Sequence, residues 1–429
     1  MKTKSTGGTK RPRAAAAPTA AKRLTDLGAC IAFLERTHRL VRVRSEVDPR
    51  YELAGVAHRF EGSKCVLFER VKGSAWPVFT GLLWNRDIVG ALFGLPAARV
   101  PFRIAEAIVP WQRDRGSLAS RARKRGPANE VIEPVVDVGR LPIPVHALKD
   151  GGRYLDSSVV LARNPRTGGL NISIHRMMVT GRDRLTFLID PGRHLGEYVE
   201  YAGQRGETLP VTINNGVGLA PWIVSTLPRL GDGKLDIANH LVGRPIELLR
   251  AQTSEVPAYA DAQFVIEAEI LPGVREDEAP FGEVTGYYGG RDKRWVMKVN
   301  AITRRERPVF HTVISGREVW NAVGLTAEAA IFHALKTGIP EVRAVFLPPG
   351  GCGFYQAVVQ VENTRPGLGR EVIDATFKAF RSLQRVVVVD TDVDLFDAVD
   401  VDWAITTRFD PDTDLVLLPG AEGHPSIRW

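Results

Sequence analysis

Apolar positions along the chain fall into blocks whose spacing changes twice. Leu27, Ile31 and Leu34 recur at helical spacing, and Thr25 or Asp26 can accept the free N–H groups of a first turn, so a helix is expected over 24–36. Alternation over 40–47, closed by Asp48-Pro49, predicts a strand; 66–68 and 78–83 read as further strands and 86–93 as a short helix. From 134 to 315 short β-branched runs alternate with Gly, Pro and Asp turns, with strands expected at 157–162, 170–175, 185–189, 211–214, 264–270, 295–302 and 309–314. Many short strands between turn signals suggest a barrel or sandwich, here interrupted most clearly by a helix over 196–206. After Gly316 the pattern becomes α/β again, with helices over 326–336 and 371–380, strands over 342–347 and 356–361, and an apolar run at 386–390 suited to burial on both faces. The economical reading of this last part is a doubly wound unit.

Composition alters this picture at one end. The 429 residues carry a net charge of +8, but seven of those charges are Lys2, Lys4, Lys10, Arg11, Arg13, Lys22 and Arg23, in a stretch with no acid. The remainder is nearly neutral, so a nucleic-acid-binding body is not indicated. Residues 1–23 lack both an amphipathic period and the apolar centre of a signal peptide and read as a disordered basic tail; a targeting peptide or a weak polyanion tether is the alternative. No apolar run is long enough for a membrane helix. Cys30, Cys65 and Cys352 are too scattered for a zinc knuckle or disulfide framework, which fits a cytoplasmic protein.

Three segments carry candidate chemistry. Glu278-Ala-Pro-Phe-Gly-Glu283 puts two acids on one tight turn. Like charges and burial both raise a carboxyl pKa, which a general acid at neutral pH requires, although surface turns also carry such pairs. In Asn171-Ile-Ser-Ile-His-Arg176, strand alternation places Asn171, Ser173 and His175 on one face and Arg176 on the other unless the strand bends. That polar face points at a cavity or at water. Asp190-Pro-Gly-Arg-His194 precedes a helix, where His194 is either exposed or a metal ligand. His240 reads as structural or exposed, His311 as a barrel histidine rather than a base, and Cys352 as a turn cysteine or part of a flexible Gly loop near an active site. Trp222 and Trp320 read as core aromatics or pocket walls, and Asp390, Asp392 and Asp394 as a strand end with its loop.

In combination these segments resemble the UbiD family of prenylated-FMN-dependent decarboxylases. The resemblance runs from about Leu24 to Gly420, through Ser45-Glu-Val-Asp-Pro-Arg-Tyr-Glu-Leu53, Asn171–Arg176, Gly192-Arg-His194, Gly243-Arg-Pro-Ile-Glu247, Glu278 to Tyr288, Val386-Val-Val-Val-Asp-Thr-Asp-Val-Asp394 and Trp403-Ala-Ile-Thr-Thr-Arg408. It implies an α/β (α+β) fold: an N-terminal α/β domain over 24–125, a central split β-barrel holding the flavin over 126–318, and a C-terminal α/β oligomerisation domain over 319–429. The activity it implies is reversible, non-oxidative decarboxylation of an α,β-unsaturated or aromatic acid through a covalent adduct with prenylated FMN. Its catalytic network matches Arg176, Glu278 and Glu283, with Glu283 as proton donor. Cofactor contacts match Asn171, Ser173, Ile174, His175, Arg176, Arg193, His194, Leu227, Pro228 and Lys234. Asn171 and His194 match ligands of a divalent metal, Mn2+ or Mg2+, with K+ as a further ion. The third ligand position, nine residues before Gly243, reads Lys234, which cannot ligate a cation; Asp232 or Asp236 could supply the carboxylate in a shifted register, or Lys234 could meet the flavin phosphate itself. The implied partners are a flavin prenyltransferase that supplies the cofactor and further copies of the chain, as a homodimer or larger. A non-catalytic flavin-binding subunit and a conventional FMN oxidoreductase are the alternatives.

Overall fold

The computed structural model describes residues 19–189, 192–228 and 230–420. Its first helix, Ala20–Thr25, is capped by the Thr19 hydroxyl. Asp26 then leaves helical geometry and caps a second helix, Leu27–Arg36, by accepting from Ala29 N at 2.9 Å. The single helix expected over 24–36 is thus two. Asp26 is drawn out of line to bridge Val217 and to pair with Arg305 at 2.8 Å. Lys22 and Arg23, read as tail, belong to the fold. Lys22 Nζ lies 2.7 Å from Asp261 and 3.1 Å from Asp26, and Arg23 Nε donates to Leu92 O at 2.7 Å. Those partners are remote in sequence, so local composition could not reveal them. Residues 1–18 lie outside the described residues.

The N-terminal sheet joins Leu40–Val47, Cys65–Val71 and Val78–Thr80, and accepts Phe310–His311 as a fourth, parallel strand from beyond the barrel. The helix Val100–Arg113, which the sequence reading passed over, starts with Pro101 in its first turn, where no N–H is needed, and contains Pro110.

The central sheet has nine strands and curls into a half-barrel. Its order is Tyr154–Leu155, Met177–Val179, Arg184–Phe187, Asp292–Arg304, Phe264–Glu278, Leu209–Asn215, Val159–Arg163, Leu170–Ile174, with Val131–Ile132 added beside Asp292–Arg304. Among the described residues its strand pairings are antiparallel throughout. Alternation divides the strand residues between two cores. Val160 and Ala162 pack with Phe187, Ile266 and Met297 inside the barrel, whereas Val159 and Leu161 pack against the helices Leu219–Ser225 and Lys234–Val242. The 15-residue strand Phe264–Glu278 slips register between Ile270 and Arg275, with Gly273 at φ +69°, and so re-aims its end.

The helix Arg317–Gly338 leads from the barrel into the C-terminal unit. There Val342–Phe346 runs antiparallel to Gln356–Val361, which is parallel to Arg385–Asp390. The sheet is therefore mixed rather than wholly parallel. Val386 and Val388 face the helices Arg317–Gly338 and Leu368–Ala379, and Val387 and Val389 face Ala398–Arg408, so the apolar run does serve both faces. Two buried acids on the long helix tie the units together. Glu318 accepts from Thr80 Oγ1 at 3.0 Å and Ile314 N at 3.1 Å, and Glu328 takes both ends of Arg86 at 2.7 and 2.9 Å. Among the described residues no single helix is long and apolar enough to cross a membrane.

Candidate active site

The strand that carries Asn171 stops at Ile174 and the next begins at Met177, so His175 and Arg176 occupy a corner. This bend brings both side chains to one cavity, where strict alternation would have separated them. Arg176 Nε donates to Glu278 Oε1 at 3.0 Å and Nη2 to Oε2 at 3.3 Å; Nη1 donates to Glu283 Oε1. Glu278 ends the long strand at 1% exposure and also accepts from Arg294 Nε at 3.3 Å. Burial opposes the Arg176 charge, but the bonds and field of Glu278 and Glu283 outweigh it and hold the guanidinium above its usual value.

Asp150 and Tyr154, overlooked in the sequence, and Trp320, read there as a core aromatic or pocket wall, fix the acidic turn. Gly282 N donates to Asp150 Oδ1 at 2.9 Å, Tyr154 OH to Ala279 O at 2.7 Å, and Trp320 Nε1 to Val284 O at 2.8 Å. Gly289 leaves room beside Glu283, since a Cβ there would sit 2.9 Å from Glu283 Oε1. Asp150 and Tyr154 lie on loops and strand ends with no motif of their own. Only their packing against the turn identifies them.

The cavity measures about 170 Å³. Trp222, Phe281, Val284, Val313, Val319 and Val323 give it apolar walls; Arg176, Glu283, His175, Asp156, Thr226 and Ser315 are its polar points, and Ile174 also lines it. Trp222 is thus a wall, while Trp320 acts through the turn. Asp156, which the sequence reading missed, accepts from Thr312 Oγ1 and Val313 N, and burial pushes its carboxyl up to about 8. Ser173 and His175 share a face as expected, their side chains 3.0 Å apart, with His175 Nδ1 near Leu188 O at 3.2 Å.

The remaining expected residues lie about the edge strand Leu170–Ile174, where Asn171 pairs with Ala162 and so takes the barrel face. Asn171 is buried and its Oδ1 has no hydrogen-bond partner. His194 is the first residue of the helix His194–Gln204, with Arg193 as its N-cap; Asp190 and Pro191 lie outside the described residues. Lys234 opens the helix Lys234–Val242, is buried, and donates to Ser225 O at 3.4 Å and Leu227 O at 3.3 Å, just ahead of Pro228. Burial and the neighbouring Arg193 push its ammonium down to about 7. Asp236 does not join this group. Its carboxylate takes the Gly116 backbone N–H and Asn239 Nδ2, because a residue two along a helix projects from another face. Asp232 is committed to Tyr198, to Asn164 at 2.8 Å and to Thr167 at 3.1 Å.

Three family profiles match the chain in order: the 3-octaprenyl-4-hydroxybenzoate carboxy-lyase N-terminal domain at 31–108, its Rift-related domain at 120–318 and its C-terminal domain at 321–428. The anhydromevalonate phosphate decarboxylase of Methanothermobacter thermautotrophicus is 34% identical over 389 residues, 89% of this chain and 88% of that one. The chain belongs to the UbiD family of carboxy-lyases. A further relative, an uncharacterized protein in the cooM 5' region of Rhodospirillum rubrum, is 46% identical over 94% of this chain and 87% of its own. Among solved structures, an evolved dimeric form of the UbiD-class enzyme HmfF from Pelotomaculum thermopropionicum, in complex with prFMN, superposes with a TM-score of 0.86 at 38% identity, covering 93% of both chains. The Arg176, Glu278 and Glu283 cluster therefore sits in a UbiD fold that spans nearly the whole described chain.

Proposed function

We propose that this cavity carries out the non-oxidative, reversible decarboxylation of an α,β-unsaturated or aromatic carboxylic acid, with prenylated FMN as cofactor and Glu283 as the proton donor. The observation that supports it is Arg176 bridging Glu278 and Glu283 at the edge of an apolar cavity. A flavin fits the residues present. The apolar walls suit a flat ring, and the buried, unpartnered Asn171 Oδ1 and the helix start at Gly233, which has no capping side chain, suit the polar end of such a ligand. When bound, the prenylated flavin supplies the sink for the electrons left when the bond to CO2 breaks.

The chain's own residues supply the rest. Arg176 presents N–H donors to the substrate carboxylate and holds Glu283 at the cavity. Glu278, buried and anchored by Arg294, keeps the guanidinium aimed. As the C–C bond breaks and CO2 leaves, the Glu283 carboxyl gives its proton to that carbon and recovers one from solvent; in reverse it removes the proton. Trp222, Phe281 and the valines exclude water from the reacting carbon. Asn171, Ser173, Ile174, His175, Arg193, His194, Leu227 and Pro228 are proposed as cofactor contacts. A flavin prenyltransferase would supply the cofactor.

The deciding experiment is a mass and absorbance spectrum of protein co-produced with a flavin prenyltransferase, followed by CO2 release from a panel of unsaturated and aromatic acids. Bound prenylated FMN, with turnover lost in Glu283→Gln and cofactor retained, supports the reading. Plain FMN bleached by NADH would sink it in favour of an oxidoreductase.

We further infer a homo-oligomer formed through the C-terminal domain. Val399, Trp403, Phe396 and Leu417 are all exposed there, and they form apolar surface on or beside one helix and its exit. Sedimentation that finds only monomer at micromolar protein would count against it.

A further inference from the structure

Two helices begin with cations, the reverse of the arrangement that suits a helix dipole. His194–Gln204 starts with Arg193 as N-cap and His194 as its first residue; Lys234–Val242 starts with Gly233 and Lys234. The second start has no side chain that could cap it. The two starts lie together. Tyr198 of the first helix donates to Asp232, two residues before Lys234, and Arg193 is the charged neighbour of Lys234. Gly233 N donates to Leu170 O at 3.2 Å, which sets Lys234 beside the strand position of Asn171.

A divalent cation does not suit this group. Lys234 is 5% exposed, and its hydrogen-bond partners among the described residues are the Ser225 and Leu227 carbonyls, which leave an ammonium proton for a ligand. The carboxylates that could have answered it are spoken for: Asp232 by Tyr198, Asn164 and Thr167, and Asp236 by Gly116 and Asn239. Among the described residues no three His, Cys, Asp or Glu side chains are grouped to hold a metal. Asn171 offers a buried amide with an unpartnered oxygen, and a flip of that amide presents N–H donors instead. A buried ammonium with a proton to spare, beside a helix start that no side chain caps and a reversible amide, makes a site for an anion.

We infer that Lys234 stands in for the divalent metal: its ammonium meets the flavin phosphate directly, and this chain holds the flavin without Mn2+ or Mg2+. The inference rests on the flavin reading above and goes beyond it, because it reassigns the charge that neutralises the phosphate from an ion to a side chain. Asn171 becomes a phosphate contact rather than a metal ligand, and the Ser225 and Leu227 carbonyls hold the ammonium in place.

FMN titration of the apoprotein, followed by flavin fluorescence quenching, tests it alongside elemental analysis of the purified chain. The expected result is the same affinity in EDTA and in added Mn2+, with no stoichiometric Mn or Mg. Lys234→Met should weaken FMN binding by about tenfold or more, as expected for loss of a charge-assisted bond, while thermal melting confirms that it folds. Lys234→Glu should bind FMN only when Mn2+ is added, which a merely structural lysine would not produce. Wild-type binding that collapses in EDTA and returns with Mn2+ would overturn the inference and leave the flavin reading intact. So would unchanged affinity in Lys234→Met. A wild-type chain that binds no FMN in either condition would defeat the flavin reading and this inference with it.

Discussion

Arg176 is the residue on which the site's electrostatics turn. It is the shared partner of Glu278 and Glu283, and Glu278 has almost no access to water. Removing one side of a buried pair leaves the other charge uncompensated, so Arg176→Met should abolish turnover and cost about 3 kcal/mol in urea unfolding, with Arg294 limiting the loss. Arg176→Met combined with Glu278→Gln should regain most of that stability and none of the activity. His311 makes a second residue-scale prediction. It is fully buried, its Nδ1 lies 2.7 Å from Ser157 Oγ, its Nε2 has no partner, and burial pushes its pKa down to about 3. Between pH 6.5 and about 3 the unfolded chain binds a proton that the folded chain refuses. Stability attributable to this histidine is therefore complete above pH 6.5 and is lost as pH falls, by about 1.4 kcal/mol per unit. His311→Gln should flatten the acid limb of a stability-against-pH series. Asp156, whose raised pKa acts with the opposite sign, is common to both proteins and cancels in the comparison.

At the scale of elements, the acidic turn depends on a helix from another part of the chain. Trp320, on Arg317–Gly338, donates its ring N–H to Val284 O, next to Glu283. Trp320→Phe keeps most of the packing and deletes that bond. The expected outcome is a kcat reduced by about tenfold, KM and FMN affinity little changed, and a stability loss of about 1 kcal/mol. Equal activity in steady-state assays would mean that Asp150 and Tyr154 hold the turn unaided. The same helix shows why some elements were readable and others were not. Its apolar spacing predicted 326–336, but its first two turns carry Glu318 and Trp320, polar or amphipathic groups whose partners lie in the N-terminal unit and the turn.

For the molecule as a whole, the N-terminal boundary is the testable feature. The short helix Ala20–Thr25 is clamped by Lys22 to Asp26 and Asp261 and by Arg23 to Leu92, with the Arg23 guanidinium over the Phe33 ring at 4.7 Å. Removing residues 1–23 should lower Tm by a few degrees relative to removing 1–18, as read by calorimetry; equal Tm values would mean that these clamps contribute nothing. The buried Glu318 and Glu328 contacts make the long helix the link between the N-terminal sheet and the C-terminal unit. Unfolding of the two should consequently be coupled.

The sequence by itself determined the order of units, most strands of the barrel, the residues Arg176, Glu278 and Glu283, and the anomaly at Lys234. The order of units and the strands follow from local spacing, whereas the grouping of Arg176 with the sequence-remote Glu278 and Glu283 and the anomaly at Lys234 are what the family resemblance implied. Tertiary structure alone decided the corner that turns Arg176 toward its two acids, the Asp150, Tyr154 and Trp320 anchors, and the break of the first helix at Asp26. It also decided that Asp236 turns away from His194 and that Lys234 meets carbonyls instead of a carboxylate. Each of these depends on a partner distant in sequence, and the free energy of burying a charge or satisfying a backbone group is settled only when that partner arrives.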